Sequence, residues 1–202
     1  MKLAIMTKST FFVEEDKILA ALFEAGLDNL HLYKPNSSPI YSERLLSLLP
    51  DNVHDKITVH GHYYLKDEYK LAGIHLDNPS EKLPIGYKGR VGRTCKDIGI
   101  LKEIKKQSDY VFLGNVFNSQ VDSSESANFN MNELENAAKH NLIDKKVFAM
   151  GGINMDNINL VRDMGFGGVV ICGDLWNKFD IHSQMDYKEL ITHFERLKKL
   201  VY

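Results

Sequence analysis

Residues 146–176 read KVFAMGGINMDNINLVRDMGFGGVVICGDLW. They hold a short apolar run, a Gly-Gly turn, a helical segment with Asn157 near its start, a glycine-bearing reversal, a second apolar run and another glycine turn. Short apolar runs bounded by turn residues favour buried strands, so this order is typical of a β-α-β unit. The stretch therefore predicts two buried strands that both end in glycine-rich loops.

Three glycines of this stretch indicate an anion site. Gly151, Gly152 and Gly173 follow the two predicted strands, and residues without a Cβ let backbone N–H groups approach a ligand closely. In a (β/α)8 barrel, the loops after strands seven and eight form the usual phosphate site. The alternative is that these glycines only make tight turns.

Composition limits the classes of function. The chain has 202 residues, of which 44% are hydrophobic, enough to bury one sizeable core. The formal net charge of −2 gives no basic field, which argues against nucleic acid and anionic membranes as partners. We therefore expect one domain over residues 1–202 that acts on small molecules.

The cysteines and the N-terminus indicate a cytoplasmic protein. Cys95 and Cys172 lie far apart without CxxC spacing, which suits reduced thiols. The apolar run before Thr7 is too short for a signal peptide or a membrane span.

Apolar periodicity predicts alternating strands and helices along the whole chain. The predicted strands are Lys2–Thr7, Asn29–Tyr33, Ile57–His60, Gly73–Leu76, Arg90–Thr94, Tyr110–Gly114 and the two in the stretch quoted above. The predicted helices lie within Val13–Gly26, Tyr41–Leu49, Leu65–Leu71, Asp97–Gln107, Met131–His140, the stretch quoted above and Met185–Leu200. Eight strand-helix units favour a single α/β domain folded as a (β/α)8 TIM barrel. The competitor, an open doubly wound sheet, is disfavoured because no G-x-G-x-x-G follows the first strand.

Two polar features complete the interpretation. The segment Asn115–Phe129 is long enough to predict a mobile active-site loop. Four histidines, His31, His60, His62 and His75, fall on strands two to four or at their ends. A neutral imidazole there could move a proton on a substrate. The alternatives are hydrogen-bonded core histidines, or a zinc site made by His60, His62 and His75.

Four motifs carry a resemblance to a known family. GIHLD at residues 73–77, VGRTCKD at 91–97, DYVFLGNVFNS at 109–119 and FAMGGINMDN at 148–157 resemble the thiamin phosphate synthase family, which includes the related thiazole tautomerases. The resemblance implies a (β/α)8 barrel, active as a dimer, that couples hydroxyethylthiazole phosphate to hydroxymethylpyrimidine diphosphate with Mg2+ and releases pyrophosphate. It also implies that the backbone of Gly151, Gly152, Gly173 and Asp174 holds the thiazole phosphate.

The chain departs from the family pattern where the diphosphate and the metal would bind. Strand two reads HLYKP at residues 31–35 in place of alternating Gln, Arg and Lys, and His60-Gly61 replaces an Asn-Asp pair that supplies a metal ligand. Asn78-Pro79-Ser80 occupies the region of the second metal-binding Asp. Asn115 stands where the tautomerases carry a histidine. Two alternatives therefore stay open, a metal-independent tautomerase and a catalytically silent paralogue that binds thiamin phosphates.

These comparisons define the expected site. We expect catalysis to use His60, His75 and Lys34, and the diphosphate and pyrimidine side to be formed by His31, Tyr33, Arg93, Thr94, Asn115 and Ser119. Lys96 is placed near Arg93 to meet a diphosphate. Asp174, beside the phosphate, is either a general base or a helix N-cap. The metal ligands are left unassigned, with Mg2+ required only if the synthase reaction is retained.

Overall fold

A closed barrel of eight parallel strands forms the centre of the computed structural model, which describes residues 1–180 and 187–202. The strands are β1 (Lys2–Met6), β2 (Leu30–Tyr33), β3 (Ile57–His60), β4 (Gly73–Leu76), β5 (Arg90–Cys95), β6 (Tyr110–Leu113), β7 (Val147–Ala149) and β8 (Gly168–Ile171). Their order in space is their order in sequence, and β8 pairs with β1. The predicted (β/α)8 barrel is confirmed, and the open doubly wound sheet is excluded.

Helices surround the barrel in the described part of the chain. They are α1 (Glu15–Glu24), α2 (Pro39–Leu48), α3 (Leu65–Glu68), α4 (Ile98–Lys106), α5 (Met131–Lys139), α6 (Ile158–Asp163), α7 (Gly173–Trp176) and α8 (Lys188–Val201), with a 3-10 helix at Asp51–Lys56. The sequence did not predict α7 or the 3-10 helix, because each is a short piece that closes a turn.

Two predicted features differ from the structure. The count of eight strand-helix units is one helix too high, because residues 77–89, which join β4 to β5, contain no helix. The list of predicted helices likewise has none between these two strands. The predicted helix Met185–Leu200 corresponds to α8, which begins at Lys188. The first two residues of the prediction, Met185 and Asp186, lie outside the described residues.

The helices form where apolar residues recur with helical spacing. In α1, Ile18, Leu19, Leu22 and Phe23 are buried against the barrel, and Gly26 follows the helix end at φ 92°. A left-handed residue just after a helix is the common way to end it, and glycine adopts that conformation without a steric cost.

The barrel interior is filled by rings. Tyr110, Phe112 and Phe148 point inward and are buried together with Ala4 and Val170. Glycines on neighbouring strands make the space for these rings. A Cβ on Gly168, for example, would lie 2.6 Å from the ring of Phe148. The interior of the barrel around these rings is therefore a packed core, as is usual for this fold.

Closure of the barrel brings the ends of the chain together. Residues 2–5 of β1 pair in register with residues 168–171 of β8. The indole nitrogen of Trp176 donates a hydrogen bond of 2.7 Å to the carbonyl of Met6, which ties the loop after β8 to the end of β1. The loops after β7, β8 and β1 consequently lie side by side. None of the described helices is long and apolar enough to cross a membrane.

Candidate active site

A cavity of about 620 Å³ opens at the carboxyl ends of the strands. Its volume lies within the range of small-molecule sites, and its position is where barrel enzymes of this type bind their substrates. The predicted site residues that line it are Tyr33, Thr94, Asn115, Ser119, Gly151, Gly152 and Gly173. Another hollow of about 550 Å³ lies outside the barrel, between the start of α4 and α5.

The turn after β7 has a backbone that favours glycine. Gly151 and Gly152 both have positive φ angles, 89° and 66°. The Asn157 side chain holds the turn from the far side, because its amide donates to the carbonyl of Gly152 at 2.9 Å and its oxygen accepts from the N–H of Asn154 at 2.9 Å. The asparagine in the sequence motif therefore fixes the shape of the glycine turn.

The segment 115–129 packs directly on this turn. Val116 and Phe117 donate backbone hydrogen bonds to the carbonyls of Met150 and Gly151, at 2.8 and 3.1 Å. A Cβ on Gly151 would lie 2.6 Å from the Cβ of Asn115. Further along, Gln120 lies over Gly173. A Cβ added to Gly173 would be 2.9 Å from the Cβ of Gln120. The segment thus forms one wall of the cavity, and its mobility stays a prediction.

Asp174 faces away from the cavity. Its Oδ2 accepts a hydrogen bond of 2.6 Å from Nε2 of His193 on α8, and only 15% of its side chain is exposed. This orientation removes the repulsion that a carboxylate would exert on a phosphate at Gly173. The backbone of Asp174 stays beside the glycine loop as the first turn of α7.

Three of the four predicted histidines meet inside the barrel. His31, His60 and His75 come from β2, β3 and β4, and all three are buried. Their nearest ligand-type atoms lie within 4.8 Å of one another. His62 does not join them, because its Nε2 bonds the carbonyl of Ser37 at 2.9 Å. The structure therefore does not bring together the predicted zinc set of His60, His62 and His75, because His62 follows the turn at Gly61 and leaves the barrel.

A hydrogen-bonded chain runs from the cavity into this cluster. The Asp77 carboxylate lies 2.6 Å from Nδ1 of His60, and Nε2 of His60 lies 2.9 Å from Nδ1 of His31. When His60 is a neutral imidazole and the carboxylate is the acceptor, His60 donates through Nδ1 and accepts through Nε2, so His31 donates through Nδ1. Nε2 of His31 is then an acceptor, and it is buried without a hydrogen-bond partner.

His75 is held on both sides. Its Nε2 lies 2.9 Å from the hydroxyl of Thr94, and its Nδ1 lies 3.3 Å from the hydroxyl of Tyr110. Its ring packs nearly parallel to that of His60, with centroids 4.4 Å apart. Burial, reinforced by the neighbouring His60, holds the pKa values of His31 and His75 well below the ordinary value for histidine. Both rings are neutral near pH 7.

Lys34 and Arg93 are buried outside the cavity lining. Nζ of Lys34 lies 2.6 Å from Glu15 and 2.9 Å from the carbonyl of Thr10. Burial lowers the pKa of Lys34 and raises that of Glu15, while their mutual attraction opposes both shifts. Arg93 donates to the carbonyls of Pro79 and Glu81, at 3.2 and 2.7 Å. Both cations hold loops in place, so the structure does not bring them to the substrate side of the cavity.

Other charged groups face the cavity instead. Lys8, Lys96, Asp77 and Glu125 all line it. Burial, reinforced by Asp77 and Glu125, raises the pKa of the Tyr33 hydroxyl, so both carboxylates lie near that ring. The sequence analysis did not select Lys8, Asp77 or Glu125 as site residues. Lys8 and Asp77 follow β1 and β4 within two residues, a position that points to the mouth of a parallel barrel.

Comparisons with known proteins agree on one family. The family model described as thiamine monophosphate synthase matches residues 51–175. A solved thiamine phosphate pyrophosphorylase from Bacteroides thetaiotaomicron is 48% identical, with 99% of this chain and 97% of that chain covered and a TM-score of 0.89. A curated thiamine-phosphate synthase of Limosilactobacillus reuteri is 25% identical over 148 residues, which span 66% of this chain but only 63% of the relative. A pyrophosphorylase from Pyrococcus furiosus, at 18% identity and a TM-score of 0.75, with 98% and 94% of the chains covered, supports the fold alone.

The buried pair of Lys34 and Glu15 gives a stability prediction. Lys34→Ala should lower the free energy of unfolding by about 3–5 kcal/mol, because it leaves a buried carboxylate without its partner. Lys17→Ala is the matched control, since it removes the same charge from an exposed pair with Glu14. Urea denaturation of both variants measures the difference. Equal losses would contradict a structural role for Lys34.

The buried histidines give a pH prediction. Below pH about 6.5 the unfolded chain takes up protons that folded His31 and His75 refuse, so stability should fall by up to about 1.4 kcal/mol per pH unit for each ring. Urea denaturation in EDTA between pH 5 and 7.5 measures the slope. His75→Asn should reduce the slope, whereas His140→Asn, at an exposed helix end, should not. If His75→Asn left the change of stability with pH unaltered, the lowered pKa of folded His75 would be contradicted.

Proposed function

The chain belongs to the thiamine monophosphate synthase family, and we propose that it is a transferase that makes thiamin phosphate. Its substrates are hydroxyethylthiazole phosphate and hydroxymethylpyrimidine diphosphate. The bond between the pyrimidine methylene carbon and the diphosphate oxygen breaks, and its electron pair leaves with pyrophosphate. The lone pair of the thiazole nitrogen forms the new C–N bond to that carbon.

The glycine loops after β7 and β8 carry this proposal. Gly151, Gly152 and Gly173 all line the cavity, and the two turn glycines have the left-handed backbone that lets a phosphate come close to the main chain. The Asp174 carboxylate is turned toward His193, so it does not oppose an anion there. These features support a phosphate site between β7 and β8, with the thiazole ring toward the middle of the cavity.

The rest of the cavity would receive the pyrimidine diphosphate. Lys8 and Lys96 line the cavity and supply positive charge, which a departing pyrophosphate needs. Tyr33, Thr94, Asn115 and Ser119 line the same cavity and remain our candidates for contacts with the pyrimidine. Lys34 and Arg93 act on loops and are not proposed to touch the substrate.

Mg2+ fits the carboxylates of the cavity. This ion takes oxygen ligands and is commonly held by one or two carboxylates together with substrate phosphates. Asp77 and Glu125 both line the cavity, and both raise the pKa of Tyr33. These two carboxylates would therefore hold the Mg2+ ion. When bound, Mg2+ would offset the charge that develops on the leaving diphosphate.

The pair of Asp77 and His60 favours a second candidate function. A carboxylate that faces the cavity and is oriented by an imidazole at 2.6 Å is suited to proton transfer without a metal. The chain would then be a thiazole phosphate tautomerase, in which Asp77 moves the proton and His60 positions the Asp77 carboxylate.

We also propose a cytoplasmic homodimer whose residues 1–202 form one domain.

One assay separates these candidates. Purified protein with both substrates should form thiamin phosphate with Mg2+ and lose this activity in EDTA, as followed by chromatography. Metal-independent proton exchange on thiazole phosphate, without coupling, would instead identify a tautomerase. Binding of thiazole phosphate without either reaction would identify a silent paralogue.

Asp77→Asn should lower kcat/KM by about tenfold or more, equivalent to about 1.4 kcal/mol. The control Asp67→Asn, on the exposed surface of α3, should leave it unchanged.

A second experiment concerns the cavity cations. Lys8→Ala should raise KM for a phosphorylated substrate by about tenfold, because it removes a charge-assisted hydrogen bond. Lys82→Ala, an exposed lysine between β4 and β5, should leave KM unchanged and is the control. Steady-state kinetics at fixed ionic strength measure both. A normal KM for Lys8→Ala would remove this residue from the diphosphate site.

A further inference from the structure

We propose that His31, His60 and His75 form a binding site for a divalent transition-metal ion, with Zn2+ as the probe, inside the barrel next to the cavity. Its ligands are the imidazoles and not the carboxylates that would hold Mg2+, and Asp77 joins the two sites through its contact with His60. Imidazole nitrogen suits zinc and related ions, whereas Mg2+ takes oxygen ligands.

The distances between the three imidazoles fit one ion. Two nitrogens bound tetrahedrally to Zn2+ at its usual bond length lie about 3.4 Å apart. In the structure the facing nitrogens of His31 and His60 are 2.9 Å apart, and the ligand-type atoms of all three residues lie within 4.8 Å of one another. The rings of His60 and His75 now pack nearly parallel. Binding therefore includes rotation of one ring about its Cβ–Cγ bond, a torsion with a broad minimum.

Hydrogen bonds hold two of the rings from outside the cluster. Asp77 binds Nδ1 of His60 at 2.6 Å, which leaves Nε2 as the nitrogen that points inward. A carboxylate on the remote nitrogen of a metal-bound histidine fixes the ring and makes it a stronger ligand. The hydroxyl of Thr94 similarly contacts His75 at 2.9 Å. Asp77 and Thr94 both line the cavity, so an ion can enter from there.

The unpartnered nitrogen of His31 points to a ligand. A buried acceptor without a donor costs free energy. Nε2 of His31 is such an acceptor, although His60 and His75 have partners on both ring nitrogens. In the bound state the His31 ring turns about its Cβ–Cγ bond, so that Nε2 in place of Nδ1 faces the other two imidazoles and binds the ion.

Equilibrium dialysis tests the proposal without measuring turnover. Full-length protein stripped with EDTA and dialysed against ZnCl2 should retain about one ion per chain by elemental analysis. His75→Asn and His31→Asn should each weaken Zn2+ binding by at least about tenfold. The matched control is His62→Asn, which changes a nearby histidine outside the cluster and should bind Zn2+ normally. Circular dichroism confirms that each variant is folded.

Two measurements on the unaltered protein cover the case in which a variant fails to fold. Co2+ in place of Zn2+ should give the intense visible absorption of a tetrahedral site. Zn2+ should raise Tm increasingly as its free concentration exceeds Kd, because it binds the folded protein. Folded protein that retains no Zn2+ and shows no cobalt spectrum would overturn the proposal. An equal loss of Zn2+ in His62→Asn and His75→Asn would also overturn it. Because none of these readouts depends on thiamin phosphate formation, they stand or fall separately from the proposed reaction.

Discussion

Pairing of β1 with β8 is the interaction on which the site depends. Residues 2–5 and 168–171 align in register, and the hydrogen bond from Trp176 to Met6 closes the same seam at the top. Without this closure, the glycine loops after β7 and β8 would lie at one edge of a sheet, far from the loop after β1. With it, Gly151, Gly173 and Lys8 face one cavity. A lysine and two glycine loops that are far apart in sequence therefore line one cavity.

Filling the barrel imposes a second constraint. Aromatic rings of β6 and β7 occupy one part of the interior, and three imidazoles occupy the part beside β2 to β4. Imidazoles in such a place need partners, because a buried polar group without one is costly. Asp77 and Thr94 supply partners from the cavity side. The packing of the core and the chemistry of the cavity are thus linked through the same hydrogen bonds.

Much of the fold could be predicted from the sequence, because apolar runs and glycine turns report local structure. The strands β3 and β4 have the predicted bounds, and the glycine loops after β7 and β8 lie at the cavity as expected. Long-range pairing could not be predicted in the same way. Lys34 resembles a substrate-binding cation in sequence, but its partner Glu15 lies on a preceding helix. Asp77 follows β4 in a plain loop, and its contact with His60 becomes visible only when β3 and β4 lie side by side.

The measurement that tests the central claim most directly is a crystal structure of the protein with hydroxyethylthiazole phosphate. The phosphate should contact the backbone of Gly151, Gly152 and Gly173, with the thiazole ring directed toward Asp77 and Tyr33. A phosphate bound elsewhere in the cavity, with the glycine loops unoccupied, would contradict the account. It would mean that the glycines after β7 and β8 only shape turns and that the substrate is held by the side chains of the opposite wall.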